Sequence, residues 1–436
     1  MPTNRLAVRS RTALAIVAVI MLVTSVWAAS DEKVLRSFNG RDGYYPDVTL
    51  TFDASGNLYG TTSYGGDSVC NNSGCGMAFQ LTPEAGGGWT EKVLHNFSNN
   101  GEDGYFPLGG LIFDGSGNLY GITVAGGTGS CNSFARGVGC GTVFQLRPVA
   151  SGNWKETVLY SFNNDGADGE YPQAGLILDA SGNLYGTTVA GGAEGSGTVF
   201  ELTNKAGKWE ETILYSFNNN GNDGVYPDGG LTLGPSGDLY GTTYYGGPSN
   251  FGTVFELKPT TGGGWKERVL HSFNGSDGRA PEATLIFDAL GNLYGTTQLG
   301  GGKSYGAVFE LTPAAGGKWE ETVLHSFADS DQDGSSPEAS LVFDGSGNLY
   351  GTTVGGGAGG CLEGTGCGTV FELTPAAGGG WSTKVLYSFK DNGKDGIYPQ
   401  AGLITDASGN LFGTTSGGGG NSACQDQCGT IFEIRP

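Results

Sequence analysis

The sequence predicts an all-β fold, a seven-bladed β-propeller with four antiparallel strands in each blade. Three observations support this prediction. A nine-residue motif recurs seven times, each copy belongs to a unit of four short strand-like segments, and the two ends of the chain supply complementary parts of one unit. Such units suit a propeller, because its blades stack radially around a central channel and leave only short edges unpaired.

The recurring motif reads ASGNLYGTT in its first copy, and neighbouring copies lie 54 to 65 residues apart. Its marker aromatic residues are Tyr59, Tyr120, Tyr185, Tyr240, Tyr294, Tyr350 and Phe412. A period of this length indicates supersecondary units in series, whereas a β-helix would need roughly half this period or less. The propeller is therefore the stronger prediction.

Each unit contains four short segments rich in β-branched and aromatic residues, separated by turn residues. In the third unit they cover residues 176–179, 184–188, 197–202 and 209–217. Runs this short are typical of strands rather than helices. The 83 glycines have no collagen-like period, so they indicate many tight turns.

The chain ends close the ring. Residues 31–38, DEKVLRSF, match the fourth segment of a unit, as in TEKVLHNF ending at Phe97, and the last residues, GTIFEIRP, match the third. The last unit lacks a fourth strand and the first residues offer one. We therefore predict that the N-terminal strand completes the last blade, giving 28 strands in seven units.

The N-terminus has the features of a secretory signal peptide. Arg5, Arg9 and Arg11 precede an apolar run over residues 13–23, and small residues lead up to Ala28. We predict a signal peptide over residues 1–28 and one propeller domain over 29–436, with an uncleaved N-terminal anchor as the alternative. After cleavage we expect no membrane span and a secreted or extracytoplasmic location, in the periplasm or at the cell surface.

The formal net charge of −21 excludes some partners. Such an acidic surface repels phosphate backbones and anionic lipids, so we expect no nucleic-acid binding. An unidentified extracellular ligand, carbohydrate or protein, is the expected partner, and we expect a monomer.

The eight cysteines fall in pairs in the loops between second and third segments: Cys70 and Cys75, Cys131 and Cys140, Cys361 and Cys367, Cys424 and Cys428. In an exported protein these predict local disulfides. A zinc site is disfavoured because the spacings differ and no histidine is near. The pairs occur in units one, two, six and seven, which form one arc of a closed ring. This arc is the expected binding rim, and duplication of one braced unit explains it equally well.

The unit GTVFELTP…GGGW…VLYSF…DG.YP…LIFD.SGNLYGTT resembles the GloVer tandem repeat of bacterial exported proteins, often called choice-of-anchor proteins. The resemblance covers essentially the whole chain after the signal peptide and implies the propeller fold and export without an activity. The D.SGNLYG core is also similar to turns of NHL and gluconolactonase-type propellers. Family members often carry a C-terminal surface-sorting segment, and the sequence up to Pro436 shows none, so surface attachment is not predicted.

An Asp-Gly-x-x-Pro frame recurs between units. Asp-Gly forms turns without any ligand. The alternative is calcium ligation, best matched at DSDQDG, where Asp329, Asp331 and Asp333 have the spacing of a calcium loop. Position twelve of that loop is Ser340 instead of glutamate. Calcium is the one cofactor that the sequence suggests.

Aromatic residues precede five of these prolines: Tyr45, Phe106, Tyr171, Tyr226 and Tyr398. They could stack on sugar faces at the channel entrance or pack the blade junctions. His95, His271 and His325 take a position that holds tyrosine in other units, which predicts packing. No arrangement typical of nucleophilic catalysis is present in the sequence.

We therefore expect an exported, non-catalytic binding or scaffold propeller for carbohydrate or protein. The alternative is a lactonase-like hydrolase or lyase that uses acidic residues and a divalent cation. Channel-facing positions that break the repeat with Asp, Glu, Asn or His would favour the enzyme, because catalysis requires unlike residues to converge.

Overall fold

A computed structural model describes residues 31–67, 70, 73–133, 137–361, 366–420, 424 and 428–436. The predicted signal peptide, residues 1–28, lies outside this range. Within the described residues, no helix is long and apolar enough to cross a membrane.

Seven four-stranded antiparallel sheets form the blades, as the sequence predicts. The innermost strands are Thr51–Phe52, Ile112–Phe113, Ile177–Leu178, Thr232–Leu233, Ile286–Phe287, Val342–Phe343 and Ile404–Thr405. The second strands carry the recurring motif and are Leu58–Thr62, Leu119–Thr123, Leu184–Thr188, Leu239–Thr243, Leu293–Thr297, Leu349–Thr353 and Leu411–Thr415.

The outer half of each blade is longer. The third strands are Met77–Pro83, Thr142–Pro148, Thr198–Lys205, Thr253–Pro259, Ala307–Pro313, Thr369–Pro375 and Thr430–Arg435. The fourth strands are Trp89–Asn96, Trp154–Ser161, Lys208–Ser216, Trp265–Ser272, Trp319–Ser326, Trp381–Ser388 and, from the N-terminus, Asp31–Ser37. Short 3-10 turns at Ala150–Gly152 and Ala315–Gly317 join two of these hairpins.

The ring closes between the chain ends, as predicted. Asp31–Ser37 pairs antiparallel with Thr430–Arg435, and Val34 lies opposite Phe432. Main-chain hydrogen bonds therefore hold the seventh blade together across the two ends of the chain.

One face of the propeller, here called the loop face, carries the connections between blades and the loops between second and third strands. Two-residue strands link these two kinds of loop: Gly104–Tyr105 with Ala125–Gly126, Gly169–Glu170 with Ala190–Gly191, Gly224–Val225 with Tyr245–Gly246, Gly334–Ser335 with Gly355–Gly356, and Gly396–Ile397 with Gly417–Gly418. Asn132–Ser133 pairs with Gly137–Val138 inside one loop. The recurring SGN turns lie on the opposite face.

The recurring motif builds shape. Asp53 Oδ1 accepts hydrogen bonds from the backbone N–H groups of Ser55 and Asn57, which fixes the turn before the second strand. A Cβ atom on Gly121 would lie 2.6 Å from the Phe144 ring and 2.8 Å from Leu111, so only glycine fits there.

The core runs between blades. A buried phenylalanine after each fourth strand packs against a phenylalanine in the third strand of the next blade, with ring centroids 4.9–5.5 Å apart and an edge-to-face arrangement in six of the seven pairs. The pairs are Phe38–Phe79, Phe97–Phe144, Phe162–Phe200, Phe217–Phe255, Phe273–Phe309, Phe327–Phe371 and Phe389–Phe432. Aromatic pairs in this geometry contribute beyond their buried area.

Candidate functional site

The residue before each frame proline bridges two blades. The N–H of Phe106 donates to the carbonyl of Cys75 at 3.0 Å, and its own carbonyl accepts from Val124 at 3.0 Å. All seven equivalents have a left-handed backbone: Tyr45, Phe106, Tyr171, Tyr226, Ala280, Ser336 and Tyr398, with φ from 55° to 64°. Such a conformation costs about 1–2 kcal/mol in a non-glycine residue, and the two inter-blade hydrogen bonds offset it.

The five predicted stacking aromatics are among these bridges. The residues that line the channel cavity do not include these five aromatics. Tyr45, Phe106, Tyr171 and Tyr398 are half-buried, and Tyr64 lies 4.8 Å from Phe106 between ring centroids. Tyr226 is 39 % exposed. Stacking on a ligand stays a prediction, and Tyr226 offers the most accessible ring of the five.

The residue after each frame proline points into the central channel. These seven residues, here called the channel ring, line a cavity of about 230 Å³ at the loop face: Asp47, Leu108, Gln173, Asp228, Glu282, Glu338 and Gln400. The cavity continues inward past the innermost strands, where Thr49 and Ser340 join the lining. Four carboxyl groups therefore converge in a channel whose walls otherwise follow the repeat.

Burial and mutual repulsion shape the electrostatics of the channel ring. Burial, and then the negative charges of Glu338, Asp228 and Asp47, raise the pKa of Glu282 to about 9. Burial and the charge of Glu338 raise the pKa of Asp47 to about 7. Because like charges in a desolvated site disfavour ionisation, Glu282 is mostly protonated at neutral pH, whereas Asp47 titrates in that range.

A hydrogen-bond chain links the channel ring to the fourth blade. Gln298 donates to Glu338 Oε1 at 2.7 Å, and Gln400 donates to Glu338 Oε2 at 3.3 Å. The Tyr244 hydroxyl donates to Gln298 Oε1 at 3.4 Å. Glu338 is therefore held in place by amides on both sides.

Tyr244 also walls an aromatic pocket of about 260 Å³ between the fourth and fifth blades. Tyr245, Phe251, Arg279 and Leu299 complete its walls, with Ala280 at its base. Tyr245 is 41 % exposed, and the Arg279 guanidinium lies 5.9 Å from the Phe251 ring centre. Ala280 occupies the bridge position that holds tyrosine in four units, so the pocket contains no bridge ring at this position.

A larger depression, of about 630 Å³, lies between the outer strands of the second and third blades beside Trp209. It is wide open to solvent, and its walls are outer-strand residues that recur in other units. It offers no feature specific to one blade.

The predicted calcium residues have different environments. Asp333 is buried and accepts hydrogen bonds from His325 Nε2 at 3.0 Å and from the N–H groups of Ala328 and Gly334. Asp329 accepts from the Ser335 hydroxyl, and Asp331 is exposed. Asp333 thus has a structural role of its own. Calcium at this loop stays a prediction, which calorimetric titration of wild type and Asp331→Ala would test.

The four predicted disulfides are present: Cys70–Cys75, Cys131–Cys140, Cys361–Cys367 and Cys424–Cys428. They brace loops of blades one, two, six and seven on the loop face. The aromatic pocket lies on blades four and five, across the ring from this arc. The arc as a binding rim stays a prediction, whereas the pocket is a concave site outside it.

The histidines pack as predicted, since the rings of His95 and Phe97 are 4.8 Å apart, but they also belong to polar clusters that the sequence did not reveal. Each cluster, here called an interface trio, joins a fourth-strand side chain, the frame aspartate and a side chain of the next blade. The trios are Arg36, Asp42 and Glu91; His95, Asp103 and Glu156; Tyr160, Asp168 and Glu211; Tyr215, Asp223 and Glu267; His271, Asp277 and Glu321; His325, Asp333 and Thr383; and Tyr387, Asp395 and Glu32.

Two positions of the repeat carry a sequence signal for the channel ring and the interface trios. The position after the frame proline varies in charge while the proline recurs, and the position holding histidine admits only side chains that can donate a hydrogen bond. Comparing these two columns across the seven units would have found the channel ring and the interface trios.

Comparison with known proteins agrees with the fold. A fungal alcohol oxidase of the AA5 family, in complex with copper, aligns over 94 % of this chain and 77 % of its own with a TM-score of 0.55 at 15 % identity. An ancestral GH74 enzyme aligns over 88 % of this chain and 51 % of its own with a TM-score of 0.50 at 11 % identity. At such identities the likeness concerns the fold alone.

A protein of Bacteroides uniformis assigned as a 6-phosphogluconolactonase aligns over 79 % of this chain and 85 % of its own, with a TM-score of 0.47 at 15 % identity. No curated protein sequence matches the chain. The model of the Gloeobacter/Verrucomicrobia repeat matches residues 71–289 and 263–436. Because these matches cover most of the sequence, the chain belongs to the Gloeobacter/Verrucomicrobia repeat family.

Proposed function

We propose that the protein is an extracytoplasmic, non-catalytic binding propeller that holds a carbohydrate on the loop face of blades four and five. The observation that carries this proposal is the aromatic pocket opened by Ala280 beside the acidic channel ring. Ligand sites are concave, with apolar walls and a few well-placed polar groups. The aromatic pocket departs from the repeat and forms such a concave site.

The chemistry of the pocket suits a sugar. A pyranose has apolar faces and hydroxyl edges, so it needs flat aromatic contacts together with charged or amide hydrogen-bond partners. Tyr244 and Tyr245 lie edge to face, with centroids 4.5 Å apart, and supply the aromatic walls. Gln298, which bonds Tyr244 and Glu338, supplies amide groups at the border between the pocket and the channel ring.

The extracytoplasmic location rests on the disulfides. Four disulfides account for all cysteines of the chain, and such bonds persist in oxidising compartments. The predicted signal peptide agrees with this location. An exported propeller would meet polysaccharides directly.

The proposal is tested by screening purified protein on a glycan array and titrating the best ligand by calorimetry. Tyr245→Ala should weaken binding at least tenfold. Ala280→Tyr restores the residue of sister units, fills the pocket and should abolish binding while the fold is kept. Tyr305→Ala, at an exposed tyrosine outside the pocket, is the control. Unchanged affinity in Ala280→Tyr would place the ligand elsewhere.

A second candidate function, a hydrolase or lyase, is favoured by the channel ring. Asp47, Asp228, Glu282 and Glu338 surround one cavity and break the repeat, the arrangement that we expected for an enzyme. Carboxyl groups with raised pKa values act as general acids or bases near neutral pH. Lactones assayed with and without divalent cations test this function. Turnover lost in Glu282→Gln would support it, and turnover equal to wild type would contradict it.

A further inference from the structure

Six of the seven interface trios contain two acidic side chains, and these six differ in the third group of the trio. At the closure of the ring that group is a cation. Arg36 Nη2 lies 2.6 Å from Glu91 Oε2 and also contacts the carboxylate of Asp42. The Glu91 side chain is only 7 % exposed, and that of Arg36 is 30 % exposed. The trio therefore has a place for a positive charge between two carboxylates.

In the trio of Tyr160 a neutral donor takes this place. The Tyr160 hydroxyl lies 3.0 Å from Asp168 Oδ2 and 3.5 Å from Glu211 Oε2. The side chains of tyrosine and arginine are long enough to carry a polar atom between the two carboxyl groups.

Histidine is shorter and leaves that place open. His95 Nε2 lies 3.2 Å from Asp103 Oδ2 and makes no hydrogen bond to Glu156 among the described residues. Glu156 Oε1 and Glu321 Oε1 are buried without a hydrogen-bond partner among the described residues, as is the equivalent glutamate oxygen of the arginine and tyrosine trios. The histidine trios differ from those trios because all three of their side chains can ligate a metal ion. In both trios the ligand atoms of histidine, aspartate and glutamate all lie within 4.8 Å of one another.

We propose that the trios His95–Asp103–Glu156 and His271–Asp277–Glu321 each bind one Zn²⁺ ion, which takes the place that the Arg36 nitrogen has at the ring closure. Imidazole nitrogen and carboxylate oxygen are both zinc ligands, at about 2.0–2.2 Å from the metal, and a zinc site with three protein ligands keeps its fourth position for water. Ligand atoms at this distance from a tetrahedral zinc ion lie about 3.4 Å apart, so atoms 4.8 Å apart need to approach by about 1.4 Å. A fourth position stays open for water.

The surroundings of the aspartates are suited to ligation. Asp103 accepts hydrogen bonds from the N–H groups of Ser98 and Gly104, and Asp277 accepts from the N–H and side-chain amide of Asn274. Such outer partners orient a ligating carboxylate. Because the ligands of each site come from two blades, the metal would tie blade one to blade two and blade four to blade five.

The third histidine provides an internal comparison. At His325 the next blade supplies Thr383 instead of glutamate, and the Thr383 hydroxyl lies 2.9 Å from His325 Nδ1. This trio lacks the second carboxylate and should bind no zinc. The proposal therefore predicts two sites, although the chain has three histidines.

Calorimetric titration of chelator-treated, tag-free protein with ZnCl₂ at pH 7.5 tests this count. We expect two equivalents, one after His95→Tyr, none after His95→Tyr with His271→Tyr, and two after His325→Tyr. Tyrosine is the residue of sister blades, so these variants should fold, which circular dichroism checks. Tyr160→His should add a third equivalent. No zinc binding by wild type, or two equivalents remaining in the double variant, would overturn the proposal.

Discussion

Glu211 and Asp168 meet across the interface of the second and third blades, where the Tyr160 hydroxyl lies 3.0 Å from Asp168 Oδ2 and 3.5 Å from Glu211 Oε2. Two carboxyl groups this close in a partly buried interface disfavour the ionisation of both. Burial, and then the charge of Asp168, raise the pKa of Glu211 to about 8. Tyr160 completes the cluster with a hydrogen bond to Asp168. The interface therefore favours the protonated form of Glu211.

This pair predicts that acid stabilises the protein. A carboxyl group whose pKa is raised in the folded state binds its proton more tightly there, so the stability it contributes is full below the unfolded pKa, near 4.5, and falls as pH rises toward 8. Glu211→Gln keeps a donor to Asp168 and removes the titration. We expect its Tm to exceed that of wild type by about 3 °C at pH 8 and to match it at pH 5.

Glu210→Gln is the matched control, because Glu210 is exposed and pairs with Lys205. It should keep the pH dependence of wild type. Thermal unfolding followed by circular dichroism at pH 5 and pH 8 tests this prediction. A Glu211→Gln variant whose Tm changes with pH as that of wild type does would contradict the raised pKa of Glu211.

Arg36 should be required for ring closure. Arg36→Leu leaves the carboxylates of Asp42 and Glu91 together without their cation. We expect a loss of about 2 kcal/mol in unfolding free energy, less than for a fully buried pair because Arg36 is partly exposed. Arg36→Tyr, the residue of three sister trios, should restore most of it. Equal stability of the Leu and Tyr variants in urea would argue against a role for the polar contact.

The glycine of the recurring motif predicts a steric effect. Gly121→Ala places a methyl group against Phe144 and Leu111, which should cost about 1–3 kcal/mol as overpacking. Gly115→Ala in the same blade has open space around the new methyl group and should change stability little. Urea unfolding of the two variants compares them directly. Similar urea midpoints would show that the core accommodates the added methyl group without loss of stability.

The disulfides should stabilise their loops measurably. Replacing Cys131 and Cys140 with alanine should lower the unfolding free energy by about 2–3 kcal/mol on the chain-entropy account. Dithiothreitol should lower the unfolding midpoint of wild type by more than this double substitution does, because it also reduces the three other disulfides. Mass spectrometry of the non-reduced protein should find no free thiol. Eight alkylated cysteines would contradict the pairing.

The fold followed from the sequence because each element recurs in register. The ring closure was predictable because residues 31–38 repeat a fourth strand, and the disulfides because both cysteines of each pair lie in one loop. Periodicity identifies what the units share. Periodicity says less about the roles of Glu282 and Glu338, because those roles depend on seven positions from different units meeting in one channel.

The aromatic pocket escaped prediction for a different reason. It results from a missing ring at Ala280, and a small residue in a variable loop carries no signal by itself. The role of His95 was hidden because exchange with tyrosine suggests shared packing. Both side chains do pack on phenylalanine, yet both also donate a hydrogen bond to the frame aspartate.

The pairing of Val34 with Phe432 sets the order in which the molecule can be completed. A chain that emerges from the ribosome or a membrane pore with its N-terminus first must keep this first strand unpaired until the last strand is released. Contacts between such distant residues form slowly, because the entropy of closing the long loop is lost before the contact contributes any free energy. Six blades can assemble during passage, but the seventh waits for the final residues. A truncated or stalled product therefore cannot close its ring, and its unpaired end strands stay accessible to proteases.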